Sequence, residues 1–140
     1  MRRMLQRLVF LALAGFALLP ASCHVGKYKV PETGATLDGT ITYNGEPVLV
    51  AMVVATGQGL EAPGYVEEDG KYKLQNVALG EVKLGVDVNA AQGRLAGQRM
   101  AGKKTPKIVN VPQKYSDPNT SGITTTIQKG ENHFDIVITK

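Results

Sequence analysis

The chain has 140 residues, of which 43% are hydrophobic, with 16 glycines, 7 prolines, one cysteine and no tryptophan. A single cysteine excludes an internal disulfide, so a packed core must stabilise the fold. Arg2, Arg3 and Arg7 contribute three units of the formal charge of +4. Without residues 1–22 the chain carries 13 basic and 12 acidic side chains. This balance gives no indication of nucleic-acid binding.

Residues 1–22 have the plan of an export signal. The basic start is followed by an uncharged apolar run over residues 8–19 and then by small residues before Cys23. As a helix this run extends about 18 Å, at about 1.5 Å per residue. A bilayer core is about 30 Å thick. We therefore predict a cleaved signal helix rather than a membrane span.

The residues at the expected cleavage point resemble a bacterial lipoprotein signal. The resemblance covers Ala21, Ser22 and Cys23, and it departs at Pro20, where such signals usually carry leucine. It implies that the cysteine is lipidated and becomes the first residue, and several acyl chains would anchor the protein firmly to a membrane. The alternative is an ordinary secretory signal cut near Cys23, which leaves a free thiol.

The remainder of the chain suits a short tether and one domain. Residues 23–34 are mostly polar and contain Pro31 and Gly34, so we interpret them as the lipidated cysteine and a tether. Residues 35–140 are then a single domain.

The first two predicted strands form a hairpin. Residues 35–43 alternate between apolar and polar side chains, which predicts a half-buried strand with Leu37 on its inner face. The pair Asn44 and Gly45 tolerates positive φ at both positions, which favours a two-residue turn. Residues 46–55 are expected to return as one apolar strand.

Short alternating runs predict the later strands, while glycine-rich stretches indicate connections. The expected strands cover residues 64–68, 71–77, 81–88, 107–111, 122–128 and 133–139. The expected connections are residues 56–63, a long exposed loop over 89–105 that could include a helical turn, a structured loop over 113–121 and a turn over 129–132. Seven or eight short strands without a long helical period favour an all-β fold, an antiparallel β-sandwich.

Three segments resemble known proteins. Residues 40–48 (TITYNGEPV) are similar to the opening of carboxypeptidase regulatory-like domains, and residues 68–74 (EDGKYKL) to their centre. Residues 111–123 (VPQKYSDPNTSGI) resemble a stretch before the last hairpin of small planctomycete-type envelope lipoproteins. The resemblance implies a transthyretin-like, or prealbumin-like, sandwich. It also implies an accessory module with no catalytic centre.

The side chains that catalysis or metal binding would require are sparse. Metal sites need clustered ligands, yet the histidines are only His24 and His133, and the acidic residues of 61–69 lack the spacing of a calcium loop. Ser116 and Ser121 are the only serines after the signal, and nothing marks either as a nucleophile beside a base. We therefore expect no metal, no cofactor and no enzymatic activity.

Two kinds of side chain are candidates for binding. Tyrosines in predicted loops could offer platforms for sugars, and the basic residues of 94–107, a stretch without any acid, could contact anionic polymers or lipid headgroups. The candidates are Tyr65, Tyr115, Arg94, Arg99, Lys103 and Lys104.

These features predict a non-enzymatic lipoprotein of the bacterial cell envelope, on the periplasmic or outer face, whose β-sandwich is a structural or interaction module. Its expected partners are the membrane, through the lipid anchor, and another envelope protein or an anionic surface polymer, but no nucleic acid. The alternative is an extracytoplasmic module that binds glycan or peptide.

Overall fold

The computed structural model describes residues 30–140; the predicted signal helix and Cys23 lie outside the described residues. The described chain is mostly β. The strands are β1 (Ala35–Tyr43), β2 (Glu46–Pro47), β3 (Met52–Gly57), β4 (Leu60–Tyr65), β5 (Lys71–Gln75), β6 (Gly80–Asp87), β7 (Ile123–Ile127), β8 (Gly130–His133) and β9 (Ile136–Ile138). The helices are α1 (Val88–Met100) and α2 (Pro118–Ser121), with a 3-10 turn at Gln113–Tyr115. From residue 30 onward, no helix has the length and apolar character needed to cross a membrane.

The strands form two sheets that enclose the core, so the prediction of a β-sandwich is confirmed at this level. In the five-stranded sheet, β5 and β2 pair with one side of β1, and β8 and β9 pair with its other side. The four-stranded sheet has the order β4-β3-β6-β7 and is antiparallel throughout.

The expectation of a wholly antiparallel fold, with a final hairpin, is wrong for the end of the chain. Strands β8 and β9 run parallel to β1. The reason is that the chain leaves β7 in the four-stranded sheet and crosses to the free side of β1, so β7 and β8 belong to different sheets. Residues 129–132, expected to be a turn, therefore contribute most of β8.

The first strand and its turn are as predicted. Leu37 in β1 is completely buried, while alternate residues face outward. Asn44 and Gly45 have φ of 50° and 80°, as a tight turn between β1 and β2 requires. Residues 46–55 do not continue as one strand, because they are apolar at consecutive positions and pass through the interior toward the other sheet. Val48 and Ala51, buried at 0% and 1% exposure, mark that crossing.

One expected connection and one expected strand also differ from the structure. Residues 56–63 contain a second tight turn, since Gln58 and Gly59 both have positive φ, and β4 begins directly after it. Residues 107–111 form no strand. That segment is held in place instead by the side chain of Val109, which is buried against the main core.

Residues 89–105, expected to be an exposed loop, largely form α1. The carboxylate of Asp87 caps this helix by accepting a hydrogen bond from the Ala90 amide at 3.0 Å. Val88, Ala91 and Leu95 recur at helical spacing and are buried. The glycines of this stretch suggested a loop, but the cap and the buried stripe outweigh their low helix propensity.

Residues 31–34 form the amino-terminal approach to the sandwich. They lie at the opposite end of the sandwich from α1. Asn76, just after β5, accepts a hydrogen bond from the Thr33 amide at 2.7 Å and donates one to the Pro31 carbonyl at 2.9 Å. The other end of β5 is joined through a Val66–Tyr72 bridge to the end of β4. Strand β6 finishes at the same end of the four-stranded sheet, and α1 follows it directly.

Candidate ligand-binding site

A crevice of about 50 Å³ opens between α1 and the segment that follows β4. Its floor is apolar and includes Val50, Ala91 and Leu95, a small buried cluster separate from the main core. Its rim is polar and consists of Tyr65, Glu67, Glu68, Arg94, Gln98 and Lys104. The helix supplies one wall because its buried stripe faces the sandwich, which leaves its longer polar side chains at the opening.

Arg94 is held between an aromatic ring and a carboxylate. Its guanidinium carbon lies 5.1 Å from the centre of the Tyr65 ring, a cation–π geometry. Its Nη2 lies 3.5 Å from Oε2 of Glu67. Tyr65 is 38% exposed, but the cation covers one face of its ring, so that face is not free to stack on a sugar.

A second ion pair lies at the crevice margin. Nζ of Lys103 is 3.8 Å from Oε1 of Glu68, and both side chains are largely exposed. Lys104 also lines the crevice, but among residues 30–140 no carboxylate lies within ion-pair distance of it. Arg99 does not line the crevice; its Nε donates to Oγ1 of Thr105 at 3.4 Å.

Tyr115 lies apart from these residues. Its side chain is partly buried against the main core, and its hydroxyl donates to the Thr139 carbonyl at 3.4 Å. Nζ of Lys114 lies 4.7 Å from its ring centre. The structure therefore brings Tyr65, Arg94 and Lys104 together and leaves Tyr115 elsewhere.

The sequence reasoning missed Glu67, Glu68 and Gln98 as members of the site. The two glutamates belong to an acidic stretch that reads as a solvated turn, yet the fold places Glu67 against Arg94 in α1 and Glu68 against Lys103, just after α1. The signal that could have found them was the opposite charge of the two stretches, the one acidic and the other basic.

A second polar cluster lies on the outer face of the five-stranded sheet. Nδ1 of His133 is 2.9 Å from Oδ2 of Asp38, and Nε2 is 3.3 Å from Oδ2 of Asp135. The hydrogen bond to Asp38, and next that to Asp135, raises the pKa of His133 above its ordinary value of 6.5. Asp135 in turn accepts hydrogen bonds from the amide and hydroxyl of Thr40, both at 2.8 Å, which lower the pKa of Asp135.

This cluster leaves His133 without a free ring nitrogen, because each one faces a carboxylate. Within residues 30–140 no group of three or more histidine, cysteine or acidic side chains is arranged to hold a metal ion. Ser121 lies by the other sheet, where its buried Oγ donates to the Leu84 carbonyl at 2.5 Å. Ser121 and His133 are therefore not neighbours.

No protein-family model matches the chain, and no curated protein matches it. Among solved structures, a DUF3823 family protein from Bacteroides ovatus ATCC 8483 is 24% identical with a TM-score of 0.43, and the match covers 74% of this chain but 43% of that protein. The dioxygenase domain of a dioxygenase carbohydrate-binding protein fusion from Streptomyces sp. SirexAA-E is 13% identical with a TM-score of 0.39, covering 78% and 81% of the two chains. The chain thus spans less than half the length of the first protein. At such scores neither structure bears on the site.

Proposed function

We propose that this chain is a non-enzymatic lipoprotein of the bacterial cell envelope, on its periplasmic or outer face. Its domain is a carboxypeptidase regulatory-like sandwich of the transthyretin-like type, and it serves as a structural or interaction module. The export-signal plan of residues 1–22 and the position of Cys23 support the anchor. The alternation of the strands and the turn residues support the domain type.

One observation carries the interaction role: the crevice lies at the end of the sandwich away from the amino-terminal approach. Pro31 and Thr33 are bonded to Asn76 at one end of β5, whereas α1 stands at the other end. Residues 31–33 therefore leave the crevice uncovered. A partner in the surrounding space could reach it there.

The charged groups around the crevice support a role in binding. Arg94 with Glu67, and Lys103 with Glu68, are exposed ion pairs. Paired surface charges of this kind give a rim that selects partners by electrostatic complementarity.

Of the two alternative ligand classes, the geometry favours peptide over glycan. Sugars are commonly bound on exposed aromatic faces, and both candidate tyrosines have a cation over the ring. An apolar floor with a rim of mixed charge suits a peptide, which offers both aliphatic side chains and backbone hydrogen bonds.

Metabolic labelling with an alkyne-tagged fatty acid tests the proposed anchor. The full chain is expressed in a bacterial host, and the label should appear in the wild-type protein and be lost in Cys23→Ala. Ser116→Ala is the matched control, because its position follows the signal and its label should persist. An unlabelled wild-type protein, or label that survives in Cys23→Ala, would count against a lipoprotein.

A further inference from the structure

The cations around the crevice are unequally compensated. Arg94 has Glu67 and Lys103 has Glu68, whereas Lys104 lines the crevice with no carboxylate in ion-pair distance among residues 30–140. The crevice therefore has an apolar floor and one uncompensated positive charge at its rim. Such a site is complementary to a ligand that joins an apolar group to a negative one.

The size of the crevice limits the apolar group. Its volume is about 50 Å³, whereas an apolar cavity of about 150 Å³ is known to hold a benzene molecule. A methyl or isopropyl group fits such a space, but an aromatic ring or a long acyl chain does not. The floor residues Val50, Ala91 and Leu95 offer such a group apolar contact on several sides.

We infer that the crevice binds the carboxyl terminus of a peptide whose last residue has a small aliphatic side chain, such as alanine or valine. The terminal carboxylate would pair with Lys104 while the side chain enters the apolar floor. The carboxylates of Glu67 and Glu68, and the amide of Gln98, are at the rim to bond the peptide backbone. This inference rests on the proposed role as an interaction module and names the ligand class of its crevice.

Other ligands match these features less well. A sugar lacks the negative group and would find one face of the Tyr65 ring covered by Arg94. A fatty acid has the negative group, but its chain exceeds the space. A lipid surface has the same mismatch, because its acyl chains are longer than the crevice can hold.

Fluorescence polarisation with labelled hexapeptides tests the inference on the full chain in detergent. The probes share one glycine- and serine-rich body and end in valine with a free carboxylate, valine as the amide, or phenylalanine with a free carboxylate. The free valine form should bind tightest. The amide should bind about fivefold more weakly, the factor expected when an exposed ion pair worth about 1 kcal/mol is lost.

Variants of the crevice residues then test whether the peptide binds in the crevice. Lys104→Gln should remove the difference between acid and amide, and Ala91→Leu, which fills the floor, should weaken binding of the valine peptide. Lys129→Gln is the control. Lys129 lies near Gly34 at the amino-terminal end of the sandwich, so this variant should bind the peptide like wild type. Thermal unfolding checks that each variant folds; if Ala91→Leu does not, the exposed Lys104→Gln decides.

Several outcomes would overturn the inference. They are no binding of the valine peptide, equal affinity for its acid and amide forms, or an unchanged preference in Lys104→Gln. Competition by free isobutyrate as effective as that of the peptide would assign the site to small acids instead. If the chain is labelled at Cys23 but binds no peptide, this inference is wrong and the proposed function stands. If the chain is unlabelled but binds the peptide, only the proposed lipid anchor is wrong.

Discussion

Gly39 and Phe134 pack so closely that the carbonyl group of Phe134 occupies the place where a side chain at position 39 would begin. The same carbonyl accepts a hydrogen bond from the buried Tyr72 hydroxyl at 2.5 Å. At this point β1 passes the link between β8 and β9, and the amide of Thr40 is bonded by the Asp135 side chain rather than by a backbone carbonyl. The close approach therefore holds the last strands against β1.

We expect Gly39→Ala to lower the free energy of unfolding by about 3 kcal/mol, since the added methyl group meets backbone that cannot move without breaking the Tyr72 hydrogen bond. Urea unfolding followed by circular dichroism measures the change. A variant as stable as wild type would mean that β8 and β9 are not held against β1 in this way.

Gly93→Ala should raise the stability of the fold, whereas Gly39→Ala should lower it. Gly93 lies in α1, and a Cβ added there meets no atom within 4 Å. Because alanine has the higher helix propensity, we expect this variant to be more stable by about 0.5–1 kcal/mol. The same urea unfolding measures it, and a loss of stability would contradict the assignment of this stretch as helix.

Ser121 has a polar side chain but is buried, at 7% exposure. Its hydroxyl donates to the Leu84 carbonyl and accepts from the Ile123 amide at 3.1 Å, which ties α2 to β6 and β7. Ser121→Ala leaves that partly buried amide and the Leu84 carbonyl without this hydroxyl, so we expect a loss of about 2 kcal/mol. Ser116→Ala, whose hydroxyl bond to Gln113 lies at the surface, is the control and should cost clearly less. Thermal unfolding of the two variants decides the comparison.

The stability of the fold should depend on the charge of His133. Its pKa is raised in the folded protein, first by Asp38 and then by Asp135, so folding favours the protonated ring. The stabilisation is complete below the pKa of the unfolded chain and is lost as the pH rises through the higher folded pKa. His133→Gln should therefore be less stable than wild type at about pH 5.5, with the difference shrinking toward about pH 8.5.

Urea midpoints of wild type and His133→Gln across that range measure this dependence. The lowered pKa of Asp135 works in the other direction, because its stabilisation is present above the unfolded pKa and is lost as the pH falls through the folded one. Asp135 thus stays ionised over the range tested. A difference between the two proteins that is constant with pH would show that the ring charge contributes nothing.

The local features of the fold were predictable because short-range chemistry determines them. The alternation around Leu37 predicted β1, and the residue types of Asn44 and Gly45 predicted its turn, since both tolerate positive φ. The candidate site was predictable only in part. Tyr65, Arg94 and Lys104 were identified by residue type, but nothing local indicated that they line one crevice between α1 and the segment after β4.

What the sequence determines by itself is the β-rich character of the chain, the burial pattern of its strands and a charge balance close to neutral after residues 1–22. These depend on side-chain type and spacing within a few residues. Only the tertiary structure decided that β8 and β9 run parallel to β1, that one face of α1 packs against Val50 and that Glu67 meets Arg94. Such pairings join segments far apart in sequence, and their energy comes from burial and charge contacts that exist only once the two sheets have packed.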